Sequence, residues 1–368
     1  MPVTYPICLP LKPSTNQLVF KKQSAVSTSV APSSFKAQSY VWPGQGWMVD
    51  ATWPPGVRSR MEPLVAALSS LNGGEGSVLL RDNSNVSSQN TSLAANINRL
   101  VVNGASQTGY DLNIKNAIAL QALFKAGDWI QLGGKNLLAK TQVFNDALWI
   151  KNTLTVTDNS AAAPTGTFDG TTAALCAPSG TDSYLYQYFQ PPGRWGHTFS
   201  FWGKKNVSGQ LGLLVRVSNN FGTTLAQSVV VLNNTSWQRF SLPFFPQDGT
   251  LCVAQIGGGS TWPTGQNCLL WGAQVDPVPY LQEYRPAVAT AYSKQYELYK
   301  VINDVYSDNS GNATVTLWPK LRTSPLDGEA VTWNSALGRF ALVSGDDWSI
   351  DSTDVYGMQS TFVEDQRP

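Results

Sequence analysis

Three tyrosines in the segment SYLYQYFQ have the side-chain type and spacing that best suit ligand binding. Tyr184, Tyr186 and Tyr188 stand two residues apart, so in a β-strand all three point to one face. Several other apolar, strand-like runs each contain one planar polar side chain, and the glycine-rich run IGGGSTWPTG contains one tryptophan. The candidate binding residues are therefore Tyr184, Tyr186, Tyr188, Arg216, Gln255, Trp262 and Gln274.

These residue types match the chemistry of sugar recognition. Aromatic faces accept the C–H groups of a sugar ring, and amide or guanidinium groups bond its hydroxyls in a partly open groove. The polar residues would have to share the tyrosine face, and Trp262 would act as a lid from a rim loop. The tyrosines could instead pack, with their hydroxyls bonded to backbone; the sequence leaves both interpretations open. We expect Phe199, Trp202 and Trp271 to lie in the core, because they sit within apolar strands.

Catalytic chemistry is not indicated. Hydrolysis of a glycosidic bond needs two carboxylates flanking a cleft. The acids between residues 135 and 292 all have turn-like or terminal settings, so we expect solvated side chains: Asp146, Asp158, Asp169, Asp182, Asp248, Asp276 and Glu283. His197 is the only histidine and no GxSxG motif accompanies it. We predict no enzyme, no catalytic residues and no cofactor.

Cysteine spacing argues against a metal site. Cys8, Cys176, Cys252 and Cys268 form no CxxC pair, and one histidine cannot complete a zinc set. We expect buried free thiols, with a Cys252–Cys268 bond as the alternative.

Composition limits the possible partners. Only 13% of residues are charged, about half the share expected for a soluble domain, and the net charge is +1. Such a chain does not offer the basic field that a nucleic-acid groove requires, and no apolar run reaches membrane-spanning length. Polar uncharged residues, 13 Trp and 13 Tyr instead suggest a surface that is partly covered in an assembly.

The elements that must position these residues are almost all strands. The one predicted helix is RMEPLVAALSSL, with an apolar stripe at Leu64, Val65, Leu68 and Leu71 and a possible capping box from Ser59 to Glu62. Residues 82–98 are polar and without periodicity, which predicts a mobile loop or arm. From Asn136 onward, short strands recur between turn residues, as in a two-sheet sandwich or jelly roll.

An interrupted hairpin defines the predicted domains. Asp128–Leu132 alternates like a strand and runs into Gly133-Gly134, yet its matching strand comes only at Tyr296–Val305. We therefore predict a discontinuous domain of residues 1–134 and 293–368, and an inserted jelly roll of residues 135–292. Insertions at hairpin tips are tolerated because they break no core hydrogen bonds.

The flanking sequence resembles the distal tail proteins of long-tailed bacteriophages with flexible, non-contractile tails. The matching stretches are LVVNGASQTGYDL, LFKAGDWIQLG, ELYKVINDVYSDNSGNATVTLWPKLRTSPLDGEAV and GRFALVSGDDWSIDSTDVYGMQSTFVE, and RMEPLVAALSSL followed by GSVLLRD also fits. The resemblance implies an all-β hub with a β-sandwich, one short helix and a small β-barrel. It also implies a homohexameric ring at the virion tail tip, assembled in the host cytoplasm, between the tail tube protein and the receptor-binding hub proteins.

The inserted segment separately resembles the carbohydrate-binding jelly rolls of phage tail proteins. The matching stretches are NLLAKTQVFNDALWIKNTLTVTDNSAAAPTGT, HTFSFWGKK, NNTSWQRFSL and CLLWGAQVDPVPYLQEYRP. This resemblance implies a module that binds host cell-surface polysaccharide. Three alternatives stay open: a tail enzyme that degrades glycan, a free lectin or adhesin unrelated to tails, and a hub whose inserted segment is only an inert spacer or decoration.

Overall fold

A computed structural model describes residues 5–10, 12–84, 87–90, 100–165, 169–220, 222–246, 250–286, 296–344, 348–350 and 355–367. Up to residue 134 the elements are β1 (Ile7–Cys8), β2 (Gln17–Val30), β3 (Ala37–Val57), α1 (Arg58–Ser69), β4 (Ser77–Leu80), β5 (Val101–Val102), β6 (Gly109–Lys115), β7 (Ala122–Phe124) and β8 (Trp129–Leu132). Then come β9 (Ile150–Asn152), β10 (Leu154–Ala161), β11 (Ala173–Pro178), β12 (Tyr184–Phe189), β13 (His197–Lys205), β14 (Leu211–Asn219), β15 (Thr224–Leu232), β16 (Gln238–Phe244), β17 (Cys252–Gly257) and β18 (Cys268–Asp276). The last strands are β19 (Glu297–Val301), β20 (Val305–Tyr306), β21 (Ala313–Leu321), β22 (Gly338–Ser344), β23 (Trp348–Ile350) and β24 (Val355–Glu364).

The predicted all-β class with one short helix is confirmed within these residues. The helix buries the predicted stripe, including Leu64 and Leu68. The predicted capping box is wrong: the helix begins at Arg58 after Val57, without a side-chain cap. Glu62 instead accepts hydrogen bonds from Arg58 and from the Tyr356 hydroxyl.

A seven-stranded sheet forms the first layer of the flanking sequence. Its strand order is β1-β4-β22-β24-β3-β2, with β23 paired to β24. One apolar core covers this sheet and contains the inner face of α1 and the edge-to-face pair Trp47 and Trp129, whose ring centroids lie 4.8 Å apart. The side chains of Trp47, Trp53 and Trp129 are thus core residues, as their apolar surroundings favour.

A second, smaller sheet with the order β5-β6-β21-β19-β8 forms a half-barrel around its own apolar core, and β20 pairs with β7 beside it. The predicted pairing across the interrupted hairpin is confirmed here. Strands β8 and β19 are antiparallel, with Leu132 opposite Glu297 and Trp129 opposite Lys300. The chain leaves β8 through Gly133 and Gly134, both at positive φ, and β9 to β18 all lie between the two paired strands in the sequence.

Residues between β8 and β19 fold as two facing five-stranded sheets. The first has the order β10-β11-β18-β13-β16 and the second β15-β14-β17-β12-β9. The alternate residues facing inward form one core that includes Leu185, Phe199, Leu213, Ile256 and Leu270. This arrangement fits the predicted sandwich; the domain limits at 134/135 and 292/293 stay predictions, because residues 287–295 lie outside the described part.

A buried polar network joins this sandwich to the half-barrel. Arg285 bonds Asp276 at 3.3 Å and Thr332 Oγ1 at 3.2 Å, and it also bonds Gln282. Gln282 donates to Gln131 Oε1 at 3.1 Å, which ties the network to β8. All five side chains are at most 5% exposed, so each depends on its neighbours rather than on water.

Three further sequence predictions concern parts outside this framework. All four cysteines are free and buried, as predicted. The predicted mobile loop at 82–98 falls largely on residues 85–86 and 91–99, outside the described residues. Among described residues, no helix has the length and apolar character to cross a bilayer.

Candidate functional site

The three tyrosines of β12 form a continuous aromatic row. Tyr184, Tyr186 and Tyr188 are each half-buried, whereas the alternate residues Leu185 and Phe189 are buried in the core. Ring centroids lie 6.0 Å apart for Tyr184 and Tyr186 and 5.6 Å apart for Tyr186 and Tyr188. Burial, followed by the interaction with the neighbouring Tyr188, raises the pKa of Tyr186.

Strand register brings two of the predicted polar residues onto the same face. Gln255 on β17 lies directly opposite Tyr186, and Arg216 on β14 lies directly opposite Gln255. Residues directly opposite in neighbouring strands share a face and are about 5 Å apart, so this row spans roughly 10 Å. The Arg216 Nη2 atom donates to Gln255 Oε1 at 2.7 Å, and Gln255 Nε2 donates to the Gly257 carbonyl at 2.8 Å.

A glycine turn encloses one end of the row. Gly257 and Gly258 have φ values of 90° and 98°, and a Cβ on Gly258 would lie 2.6 Å from Gln255 Nε2 and 3.7 Å from Tyr184 Cδ1. Both the backbone conformation and the close approach therefore require glycine. The turn presents backbone rather than side chain against Gln255.

Trp262 does not act as the predicted lid. Its side chain is fully buried in the sandwich core, where Nε1 donates to the Gln266 carbonyl at 2.8 Å. The glycine turn folds the chain back so tightly that a Cβ on Gly257 would lie 2.6 Å from Trp262 Cε3. Trp262 anchors the rim loop instead of covering the tyrosine row.

Gln274 does not join the site either. It lies on β18, in the other sheet, and its side chain is fully buried. Its amide nitrogen donates to both Asp276 oxygens, at 2.8 and 2.7 Å, and its oxygen accepts from the Arg285 amide at 2.7 Å. Gln274 is therefore part of the polar network at the half-barrel.

The expectation of solvated acids is wrong at three positions. Asp276 is fully buried, and burial raises its pKa. Burial also raises the pKa of Glu283 to about 7, although the amides of Trp333 and Asn334 donate to its carboxylate. Asp158 lies within β10 and accepts from the amides of Phe144 and Asn145. These carboxylates serve the framework, and none lies on the tyrosine row.

Among the residues assigned to the core, Phe199 and Trp271 are fully buried, as predicted. Trp202 is only half-buried and packs in a smaller cluster with Trp271. His197 is also buried; its Nδ1 lies 2.7 Å from the Trp195 carbonyl oxygen, and burial lowers its pKa to about 4.

One residue near the row, Gln227, was not predicted from the sequence, and a second, Asp182, is exposed as predicted. Gln227 on β15 is exposed and lies directly opposite Arg216, which extends the polar end of the row. Asp182 is exposed beside the glycine turn, 3.8 Å from where a Gly258 Cβ would stand. Gln227 is polar within an apolar run, but only the strand register shows which face it shares.

The fold and this row define an all-β protein with an inserted sandwich, one sheet of which carries a half-open face of tyrosines, an amide and a guanidinium. No protein-family model matches the sequence, and comparison with curated proteins gives no match. Among solved structures, the enzymatically active domain of bacteriophage CBA120 tailspike protein 4 overlaps 38% of this chain at 15% identity and a TM-score of 0.30. This chain covers 21% of that tailspike structure.

Two carbohydrate-binding modules overlap a similar share. TmCBM61 in complex with beta-1,4-galactotriose overlaps 38% of this chain and 97% of its own, at 13% identity and a TM-score of 0.28. The CBM22-1 xylan-binding domain of Xyn10C from Paenibacillus barcinonensis overlaps 43% and 99%, at 14% identity and a TM-score of 0.28. Overlaps of this extent describe a shared part of the backbone and assign no function to this chain.

Proposed function

We propose that the inserted sandwich is a carbohydrate-binding module. The observation that carries this proposal is the cross-strand row of Tyr186, Gln255 and Arg216, flanked by Tyr184 and Tyr188. Half-buried tyrosine rings provide apolar faces for sugar C–H groups without the entropy loss of ordering long side chains. Arg216 and Gln255 hold each other in place, so hydrogen-bond donors are pre-organised beside the rings.

We infer that the flanking sequence is a distal tail protein that forms a ring, with six subunits as the expected number, at the tip of a phage tail. This part of the proposal is supported by the sequence resemblance and by an insertion at a hairpin position that leaves the flanking sheets continuous. The expected neighbours are the tail tube protein and the receptor-binding hub proteins. The expected location is the virion, after assembly in the host cytoplasm.

A long exposed ribbon gives independent support for assembly. Between Ala37 and Trp47, β3 pairs only with β2 among the described residues. These parts of the two strands therefore extend from the sheet as a two-stranded arm. Phe35 is 84%, Tyr40 61% and Trp42 51% exposed. An isolated two-stranded ribbon is marginally stable in water, and exposed aromatic residues of this kind mark protein contact surfaces.

The mechanism that follows is avidity. A ring would carry one glycan-binding face in each subunit, and linked weak sites raise the overall affinity by about 10²-fold or more when their geometry allows simultaneous binding. No chemical step is needed for this role.

Binding of the full-length protein to an array of bacterial surface glycans tests the module. We expect binding that Tyr186→Ala weakens at least tenfold, since losing a buried aromatic contact costs about 1.5–3 kcal/mol. Tyr306→Ala is the matched control, because Tyr306 is 61% exposed on β20, away from the row. Equal weakening by both substitutions would contradict the assignment of the site, and release of reducing ends from a bound glycan would favour the degrading enzyme.

Particle sizing and projection images of the full-length protein test the ring. We expect closed rings with peripheral lobes. A protein that binds glycan but stays monomeric at micromolar concentration would favour the free lectin, and it would leave the module assignment intact.

A further inference from the structure

Among the described strand residues, Arg216 is the only charged one on the face that carries the tyrosine row. Strand register places uncharged residues at all the remaining positions of this face: Ile150, Asn152, Tyr184, Tyr186, Tyr188, Gly212, Leu214, Ser218, Thr224, Gln227, Val229, Val231, Val253, Gln255 and Gly257. The strand positions of this face therefore have one positive charge and no negative charge, and the carboxylate of Asp182 lies outside the strands, beside the glycine turn.

Arg216 differs from three other enclosed arginines of this protein, each of which lies against a carboxylate. Arg285 lies against Asp276, Arg322 against Glu364 and Arg339 against Asp365. Among the described residues no carboxylate forms an ion pair with Arg216. Its one hydrogen bond goes to a neutral amide, and its Nε atom is enclosed without a hydrogen-bond partner. The Nε atoms of Arg239, Arg285 and Arg322 are enclosed without a hydrogen-bond partner as well, so the feature that distinguishes Arg216 from Arg285 and Arg322 is the absence of a neighbouring carboxylate.

We propose that the ligand of this face is an anionic glycan, whose carboxylate or phosphate pairs with Arg216 while a neighbouring sugar ring lies on Tyr186. This inference rests on the proposed glycan-binding function and names its substrate class. A planar guanidinium binds either anion through two parallel hydrogen bonds. Gln255 fixes one edge of the guanidinium, so the remaining donors are oriented before the ligand arrives.

Specificity would follow from both ends of the row. The tyrosines accept many sugar rings, because any ring offers apolar C–H groups. The unneutralised charge discriminates among them, since a neutral glycan leaves the Arg216 donors with weaker acceptors. Arg216 is then the specificity residue and Tyr186 the general contact.

The test compares acidic bacterial polysaccharides with their own neutral forms. Uronate-containing polymers are used before and after chemical reduction of the carboxyl groups, and polysaccharides that carry phosphate monoesters before and after phosphatase treatment. With the full-length protein we expect roughly ten- to hundredfold tighter binding to at least one acidic form, the range for a hydrogen bond to a charged group. The pair that shows the difference identifies the anion.

Variants locate the effect. Arg216→Gln should abolish the preference for the acidic form, Arg216→Lys should retain part of it, and Arg58→Gln should leave it unchanged, because Arg58 is an exposed helix residue. The affinity of the wild type for the acidic form should also fall as the salt concentration is raised from 50 to 500 mM, because salt screens the charge interaction. This measurement needs no variant.

The outcomes separate the two proposals. If acidic and neutral forms bind equally while Tyr186→Ala still weakens binding, the anionic class is overturned and the glycan-binding module stands. If no polymer of the panel binds, both proposals are overturned.

Discussion

Replacing Arg285 with methionine should destabilise the attachment of the inserted sandwich more than any surface change. Arg285 comes from the segment after β18 and is 5% exposed. It bonds Asp276 within the sandwich and Thr332 in the half-barrel region, and Gln282 links it to Gln131 on β8. The substitution keeps an unbranched side chain but removes the charge and all of these donors.

The size of the destabilisation follows from the polar partners that remain around Asp276 when the Arg285 guanidinium is removed. Asp276 is fully buried and would retain hydrogen bonds from the Gln274 side-chain amide and the Gln282 backbone amide, with Arg239 as the remaining nearby cation. Removing one partner of a buried ion pair costs about 3–5 kcal/mol, because the other charge is left without compensation. A loss of this size is a large fraction of the ~5–15 kcal/mol that holds a typical native protein together.

Denaturant unfolding measures the loss, and hydrogen exchange locates it. Arg58→Met is the matched control, since Arg58 pairs with Glu62 on the helix surface with side chains 78% and 43% exposed. Such an exposed pair contributes about 0.3–0.5 kcal/mol. We expect faster exchange at the amides of Gly133 and Val275, which lie at the network, and unchanged exchange in β12.

A double-mutant cycle decides whether the charges act together. Asp276→Asn removes the carboxylate charge that Arg285→Met leaves unpaired. The free energy of unfolding of the double variant should therefore fall by at least about 1.5 kcal/mol less than the sum of the two single decreases. The prediction is refuted if the free energies of unfolding of Arg285→Met and Arg58→Met differ by less than about 1 kcal/mol. It is also refuted if the destabilisations of Arg285→Met and Asp276→Asn are additive in the double variant.

Three further predictions concern other parts of the chain. Burial raises the pKa of Glu364 to about 7 from its usual 4.5, so its stabilising contribution is present below pH 4.5 and is lost as the pH rises through 7. In urea titrations, the free energy of unfolding of the wild type relative to Glu364→Gln should therefore fall by about 2–3 kcal/mol between pH 5 and 8. A difference that does not change with pH would contradict this prediction. Trp262→Ala should cost about 3–5 kcal/mol in the same titrations because it empties a core position, whereas a lid residue would lose less than 1 kcal/mol. Changing Tyr40 and Trp42 together to serine should reduce ring formation in mass photometry while the melting temperature stays within about 2 °C, since both side chains are exposed; unchanged rings would exclude the arm from the interface.

The interrupted hairpin shows what a sequence can predict across a long separation. The alternation in β8 and in β19 is local, no matching return strand directly follows β8, and β19 has a second partner in β21. Two adjacent glycines mark the exit of the chain, and in the structure both have positive φ. The tyrosine row was predictable for the same reason, because a period of two places Tyr184, Tyr186 and Tyr188 on one face whatever the tertiary fold.

The polar positions could not be assigned from the same information. Arg216, Gln255 and Gln274 are each a single polar residue in an apolar strand, and the sequence does not say which strands are neighbours. Pairing of β14 with β17 and of β17 with β12 gathers the first two, while β18 belongs to the opposite sheet. The prediction that Trp262 is a lid was wrong for another reason. Glycine-rich runs usually lie at the surface, but this turn directs the chain back into the core.

Gln274 and Gln255 lie on different sheets of the sandwich, and the two sheets differ in what they contact. The sheet that contains β18 carries the buried network and is thereby fixed to the half-barrel, which leaves the outer face of the other sheet free of that contact. A rigid attachment also matters for a multivalent binder, because avidity falls when linked sites cannot hold a common spacing. We therefore expect Arg285→Met to reduce the avidity of an assembled ring for immobilised glycan while the affinity of one subunit for a soluble oligosaccharide stays unchanged. A substitution in the tyrosine row should reduce both, so the two measurements separate attachment from recognition.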